Sequence, residues 1–362
     1  MVRAFYSLAA ISITLNSSLI SAQTSAPASS MNPDISLSVL SDYKHSKRSG
    51  SKAEGGFSLS EAELQFSSNI DPYLRGVALF SVHPSEAHAD TDTPAAEPAE
   101  KAYAIEPEEV YLETLALPYV TLKAGRFHTA LGRHNSLHTH AYPFLDAPLI
   151  HQRLLGEEGL TESGLSAALL APVPWFSEVT VQAVQGDSPT LFSSESMTDA
   201  AEIYRWRNLF ELSDESTLDV GLSGAQGANF YQGRSTVQGA DLSWKWRPTT
   251  GGKYTAVILA AEYLQGKVEG RTTETELKGY ATWLQYQFAE RWWIQARTEK
   301  AENPQEAGLK QTKESALIAF FPSEFSGLRL QYDVLHEKEQ KDQQTLWLQA
   351  QFIIGAHPAH AY

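Results

Sequence analysis

The stretch from His134 to Leu149, HNSLHTHAYPFLDAPL, puts three of the chain's eleven histidines within seven positions and follows them with Asp146. Imidazole and carboxylate together suit zinc-like ions, which makes His138, His140 and Asp146 candidate metal ligands, with zinc as the one cofactor to consider. A second run, His83, Glu86, His88, Asp90 and Asp92, offers the same donors in an open acidic setting. Three cations flank the first run, Arg126, Arg133 and Arg153. They disfavour a metal ion there and offer a basic patch to anions instead. The plainer reading of the second run is a solvated loop, and of the first a loop pinned by hydrogen bonds over packed Phe144 and Leu145. His138 and His140 are two apart, so they share a side only on extended backbone. Enzymatic chemistry has no foothold, because no GxSxG, HExxH, P-loop or strand-to-helix GxGxxG motif occurs.

What these side chains do depends on what carries them. Residues 1–22 join a positive charge at Arg3 to a short apolar run and small residues, the signal-peptide pattern, and residues 23–30, QTSAPASS, read as a flexible leader. Acidic residues outnumber basic ones 43 to 28, which argues against nucleic acid as a partner, since phosphate binding needs a basic face. An exported chain of this size without cysteine relies on a large core or on a sheet closed on itself. No later segment reaches the run of about eighteen apolar residues that a membrane helix requires.

The dominant period is two. Ile35, Leu37, Val39 and Tyr43 share one face, and Ala62, Leu64 and Phe66 alternate with Glu61, Glu63 and Gln65. The pattern returns in LDVGLS, DLSWKW, WLQYQF, LRLQYDV and LWLQAQF. Strands of roughly ten residues are long enough to cross a bilayer when tilted. Opposite the apolar faces lie Glu61, Glu63, Arg75, Lys123, Arg205, Arg207, Asp219, Asp241, Lys245, Arg297, Arg329 and Asp333. In a soluble sandwich these would be the solvated outside; in a membrane barrel they line a water-filled lumen.

The connections choose between the two. About sixteen strands are predicted, joined alternately by tight turns such as Asp71-Pro72 and Ala289-Glu290 and by longer loops near 44–56, 84–105, 127–157, 187–202, 226–234, 267–274, 301–309 and 338–342. That alternation is expected of an all-β, antiparallel transmembrane barrel with short periplasmic turns, long extracellular loops and both termini in the periplasm. Tyr73, Tyr119, Trp175, Phe210, Trp246, Tyr254, Phe288, Trp292, Phe321 and Phe325 lie close to the tight turns, as a membrane-interface girdle would. Tyr362 fits a terminal aromatic.

Sixteen strands enclose a channel rather than a packed core. The barrel takes up residues 31–362, which leaves no room for a plug domain and favours passive diffusion. The strand YVTLKAGRF running into a long third loop resembles bacterial outer-membrane porins, including the phosphate-selective porin-like group. MNPDISLSVL, LKAGRF, HTHAYPFLDAPL and FIIGAHPAHAY also resemble proteobacterial outer-membrane proteins labelled zinc-regulated receptors or porins. The resemblance implies an outer-membrane location in a Gram-negative bacterium, lipid and small hydrophilic solutes or ions as partners, and a homotrimer. It also implies a third loop, about 127–157, folded inward as a constriction that carries Arg126, Arg133, His134, His138, His140, Asp146 and Arg153. The expected function is a porin-like channel for passive diffusion of small hydrophilic solutes, with zinc or another divalent metal as a candidate solute; the alternative is a receptor that captures zinc without conducting it.

Overall fold

The computed structural model describes residues 33–84, 103–188, 190–194, 199–271, 274–303, 310–338 and 340–355. The expected signal peptide and leader, Glu86, His88, Asp90, Asp92 and Tyr362 lie outside these residues. The first eight strands are β1 (Asp34–Arg48), β2 (Glu54–Asn69), β3 (Leu74–Pro84), β4 (Tyr103–Thr114), β5 (Val120–His128), β6 (Thr161–Leu170), β7 (Phe176–Val184) and β8 (Ala201–Ser213). The second eight are β9 (Ser216–Ala228), β10 (Arg234–Trp246), β11 (Ala256–Glu269), β12 (Glu274–Ala289), β13 (Trp292–Glu302), β14 (Lys310–Ser323), β15 (Ser326–Glu337) and β16 (Gln343–Gly355). One short helix, α1 (Leu149–Leu155), and two 3-10 turns, His134–Ser136 and Thr139–Ala141, lie between β5 and β6.

Each strand pairs with its neighbours in sequence, and β1 pairs antiparallel with β16, so the sheet closes on itself. Closure is what a lipid-facing sheet requires, because every backbone N–H and C=O then finds a strand partner and no edge remains. Register fixes the faces, since directly paired residues point to the same side. Asp42 opposes Gln349, Gln349 opposes Arg329, Ser315 opposes Asp333, Glu299 opposes Lys313 and Asp241 opposes Glu262. This polar belt is inward and largely buried. The alternate positions, among them Leu222, Leu284, Leu330, Leu348 and Phe352, are exposed on the outside. The period-two alternation therefore turned its apolar set outward, as a barrel in a membrane does and a soluble sandwich does not.

The connections at one end are 70–73, 115–119, 171–175, 214–215, 247–255, 290–291 and 324–325. Tyr73, Tyr119, Trp175, Tyr254, Phe288, Trp292 and Phe325 are exposed near them. Phe321 departs from that band: it packs against the inner cluster around Trp283 and Leu317. At the other end several expected boundaries move by a few residues. Residues 44–48 stay in the ladder, Ser46 opposing Glu54, so the first loop shrinks to 49–53. Phe127 and His128 pair with Glu162 and Thr161, so the third connection begins at 129 and ends at 160.

Candidate functional site

The 129–160 segment lies inside the barrel, held first by apolar packing. Leu131, Ile150, Leu154, Leu155 and Leu160 join inward side chains of the wall, including Ile203, Val237 and Leu264, in one buried cluster. Phe144 and Leu145 join a second with Trp283, Leu317 and Ala319. Asn135 closes the neck of the segment: its amide donates to the Thr129 and Leu160 carbonyls at 2.9 and 3.0 Å and its Oδ1 accepts from Leu160 N at 2.7 Å.

Polar anchors then fix the segment across the lumen. Glu262, buried on β11, accepts from the backbone N–H groups of Arg133 and His134 at 2.8 and 3.1 Å and faces His151 Nε2 at 3.2 Å. Gly132 must be glycine here. Its φ is +76°, and an added Cβ would stand 2.1 Å from Glu262 Oε1. Arg133 reaches Asp219 at 3.0 Å, and Arg153 donates to Gln311 at 3.1 Å. Arg329 donates to the Tyr142 carbonyl at 2.7 Å, and Glu299 accepts from Leu149 N at 2.6 Å. Asp146 is the most heavily tied residue: Arg297 lies 2.7 Å away, Lys313 2.5 Å and Gln331 2.9 Å. Burial works to raise its pKa, but Arg297 and Lys313 outweigh it and hold the carboxyl well below the usual carboxylate range.

That environment corrects the expectation that Asp146 shares a metal with His138 and His140. Its oxygens are taken by two cations and two side-chain amides, Gln331 and, at 3.5 Å, Gln152, so it is a latch. Arg126 is also displaced from the constriction: it opposes Val110 on the outward face of β5, and its Nε donates to the Pro107 carbonyl at 3.1 Å. Glu61, Glu63, Arg75, Lys123, Arg205, Arg207, Asp241, Lys245, Arg297, Arg329 and Asp333 sit on the inward face. Arg205 and Arg207 are partnered across strands by Asp241 at 2.9 Å and Asp219 at 2.7 Å.

The histidines gather at partners the sequence did not single out. A register shift between Leu79 and Phe80 leaves Leu79 opposite Glu109 and Phe80 opposite Pro107, with Glu108 as the extra residue of a β-bulge. The bulge aims two consecutive carboxylates inward. Glu108 Oε1 is 2.9 Å from His128 Nε2 and 3.3 Å from His138 Nδ1, and Glu109 Oε2 is 3.3 Å from His138 Nε2. His140 stacks on His138 with ring centroids 5.9 Å apart and puts Nδ1 2.5 Å from Glu63. Burial opposes a charge on His138, but the hydrogen bonds its ring donates to Glu108 and Glu109 raise its pKa well above the ordinary histidine value. His134 is the opposite case. Burial first, then the neighbouring His151, holds it well below the ordinary value and keeps it neutral. The clue to the missed residues was the acidic run EPEEV at 106–110.

Comparison with known proteins bears on the barrel. No family model matches the chain. An uncharacterised protein of Aquifex aeolicus is 28% identical over 352 residues, covering 85% of this chain and 70% of its own length. Among solved structures, an anion-selective porin of Comamonas acidovorans superposes with a TM-score of 0.61 at 8% identity, covering 89% of this chain and 99% of that one. The chain has a porin fold. The outer-membrane channel DcaP of Acinetobacter baumannii superposes at 0.59 and 9% identity, over 89% and 97% of the two chains. OmpF of Salmonella typhi does so at 0.58 and 13%, over 88% and 97%. A closed barrel of sixteen antiparallel strands with an apolar outside is an outer-membrane barrel.

Proposed function

We propose that the chain is a passive channel of the Gram-negative outer membrane, with short turns in the periplasm and long loops outside, that admits small hydrophilic solutes past an eyelet built by the 129–160 segment. One observation carries this reading: the segment is braced within the barrel by Glu262, Arg297, Lys313 and Arg329, which come from strands on the far side of the chain's sequence. Bracing of that kind narrows the lumen to a fixed gap, and a fixed gap with charged walls selects by size and charge. A role without catalysis and assembly as a homotrimer belong to the same reading. The narrower kinship, with phosphate-selective or zinc-regulated porins, rests on the sequence resemblance of LKAGRF and HTHAYPFLDAPL.

Reconstitution into planar bilayers decides it. Discrete conductance steps that grow when the Asp146 latch is cut are expected. A silent wild-type barrel would sink the channel reading and favour the metal-capturing receptor, which the inward histidine and carboxylate cluster would serve.

A further inference from the structure

Glu108, His128 and His138 present one ligand atom each, all within 4.8 Å of one another, and so do Glu61, Glu63 and Glu108. Bonds of about 2.0–2.1 Å in a tetrahedral zinc site put donors about 3.3 Å apart. Glu108 Oε1 already stands 2.9 Å from His128 Nε2 and 3.3 Å from His138 Nδ1. The other ring nitrogens are held as well. His128 Nδ1 is 3.1 Å from Thr161 Oγ1, and His138 Nε2 is 3.3 Å from Glu109 Oε2. An imidazole oriented by a hydroxyl or carboxylate on its far nitrogen is the usual support of a metal-bound histidine.

Two further observations point to a cation. Glu63 is only 2% exposed, yet its Oε1 meets no hydrogen-bond partner, and Glu108 Oε2 is likewise unpartnered. Buried carboxylate oxygens left this way are costly unless something positive arrives. Among the described residues, the ion pairs of Glu63, Glu108 and Glu109 are all with histidines, none with Lys or Arg. One divalent ion cancels the charge of the two donor carboxylates, Glu63 and Glu108, and leaves Glu109 paired with the far nitrogen of His138.

We propose that Glu108, His128 and His138, with Glu63 as fourth donor, form a binding site for one divalent transition-metal ion of the zinc type on the inner wall, with Glu109 and Thr161 orienting the histidines. The site does not depend on conduction, so its test is separate from the bilayer recording. The full chain, folded in detergent and stripped with a chelator, is titrated with zinc alone. One tight equivalent is expected, and His138→Ala and Glu108→Gln should each weaken binding more than about tenfold, whereas His336→Ala, in the exposed pair with Asp342, leaves it unchanged. X-ray absorption of the zinc-loaded wild type needs no variant. Two imidazoles in the first shell are expected; the rival cluster His83, Glu106 and Glu158 could supply only one. Absence of a stoichiometric site, a shell with fewer than two imidazoles, or binding that survives in both variants overturns the assignment.

Discussion

Arg297 grips Asp146 twice, donating from one guanidinium nitrogen to the carboxylate at 2.7 Å and from another to the backbone carbonyl at 2.9 Å. The guanidinium also lies over the Phe144 ring, 4.4 Å from its centroid. Because Arg297 belongs to the wall and Asp146 to the inner segment, this pair couples the position of the constriction to the barrel itself.

Cutting that latch should loosen the constriction and leave the barrel intact. Removing one partner of a buried ion pair costs about 3–5 kcal/mol, and the ladder of β13 with its neighbours is untouched by Arg297→Met. Single-channel recording should show larger, noisier steps, and trypsin should gain access to Arg153. Unchanged conductance together with an unchanged digest would mean the pair does not hold the segment.

Gly132→Ala should be far more damaging than Gly56→Ala. At 132 the left-handed backbone costs about 1–2 kcal/mol for a residue with a Cβ, and that Cβ would meet Glu262, whereas at Gly56 it meets nothing within 4 Å. The temperature at which the folded barrel loses its compact gel mobility reads both; equal shifts in the two variants would contradict the account of the Glu262 anchor.

Acidification should weaken the seat of the segment through His134. Its folded pKa is depressed, so the stability it supports is fully present above the unfolded value of about 6.5 and is lost as pH falls toward the folded value, at up to about 1.4 kcal/mol per pH unit. Burial is the chief cause, and His151, Glu262, Arg297 and Asp146 are the titratable and charged groups that face it. His134→Phe keeps the contact with Tyr142, at 4.3 Å between ring centroids, and removes the titration. Unfolding midpoints between pH 7.5 and 5 should fall more steeply for the wild type; parallel slopes would exclude His134 as the cause.

The face assignment predicts opposite outcomes for neighbouring polar substitutions. Leu330→Arg places a charge on the lipid side and should cost about 2–4 kcal/mol near the midplane. Gln285→Lys, on the inward side opposite Ile258 and Gln295, should stay within about 0.5 kcal/mol. Urea unfolding in lipid vesicles measures both, and a reversal of the order would invert the barrel.

The barrel was legible because alternation is local: each strand shows its two faces within a few residues, as Glu61 and Glu63 do beside Ala62 and Leu64. Parity also exposes the error over Arg126. It stands three positions after the inward Lys123, an odd offset, and so faces out. Nothing local announced the cations that hold Asp146, which come from 151 and 167 positions away. The bulge that turns Glu108 inward was hidden for the same reason, because an extra residue exists only relative to the strand beside it.

The bracing has a consequence for how the molecule is made. The segment precedes nearly all of its anchors in the chain, and the Arg329 bond to Tyr142 spans 187 positions. Contacts so distant in sequence form late, because loop-closure entropy must be overcome first. The last brace is therefore set late, and a sheet halted before β15 joins lacks both the Arg329 bond to Tyr142 and the β1–β16 seam that closes the wall, so it would leak. Guarding against that leak falls to whatever keeps the unfinished barrel from release into the bilayer.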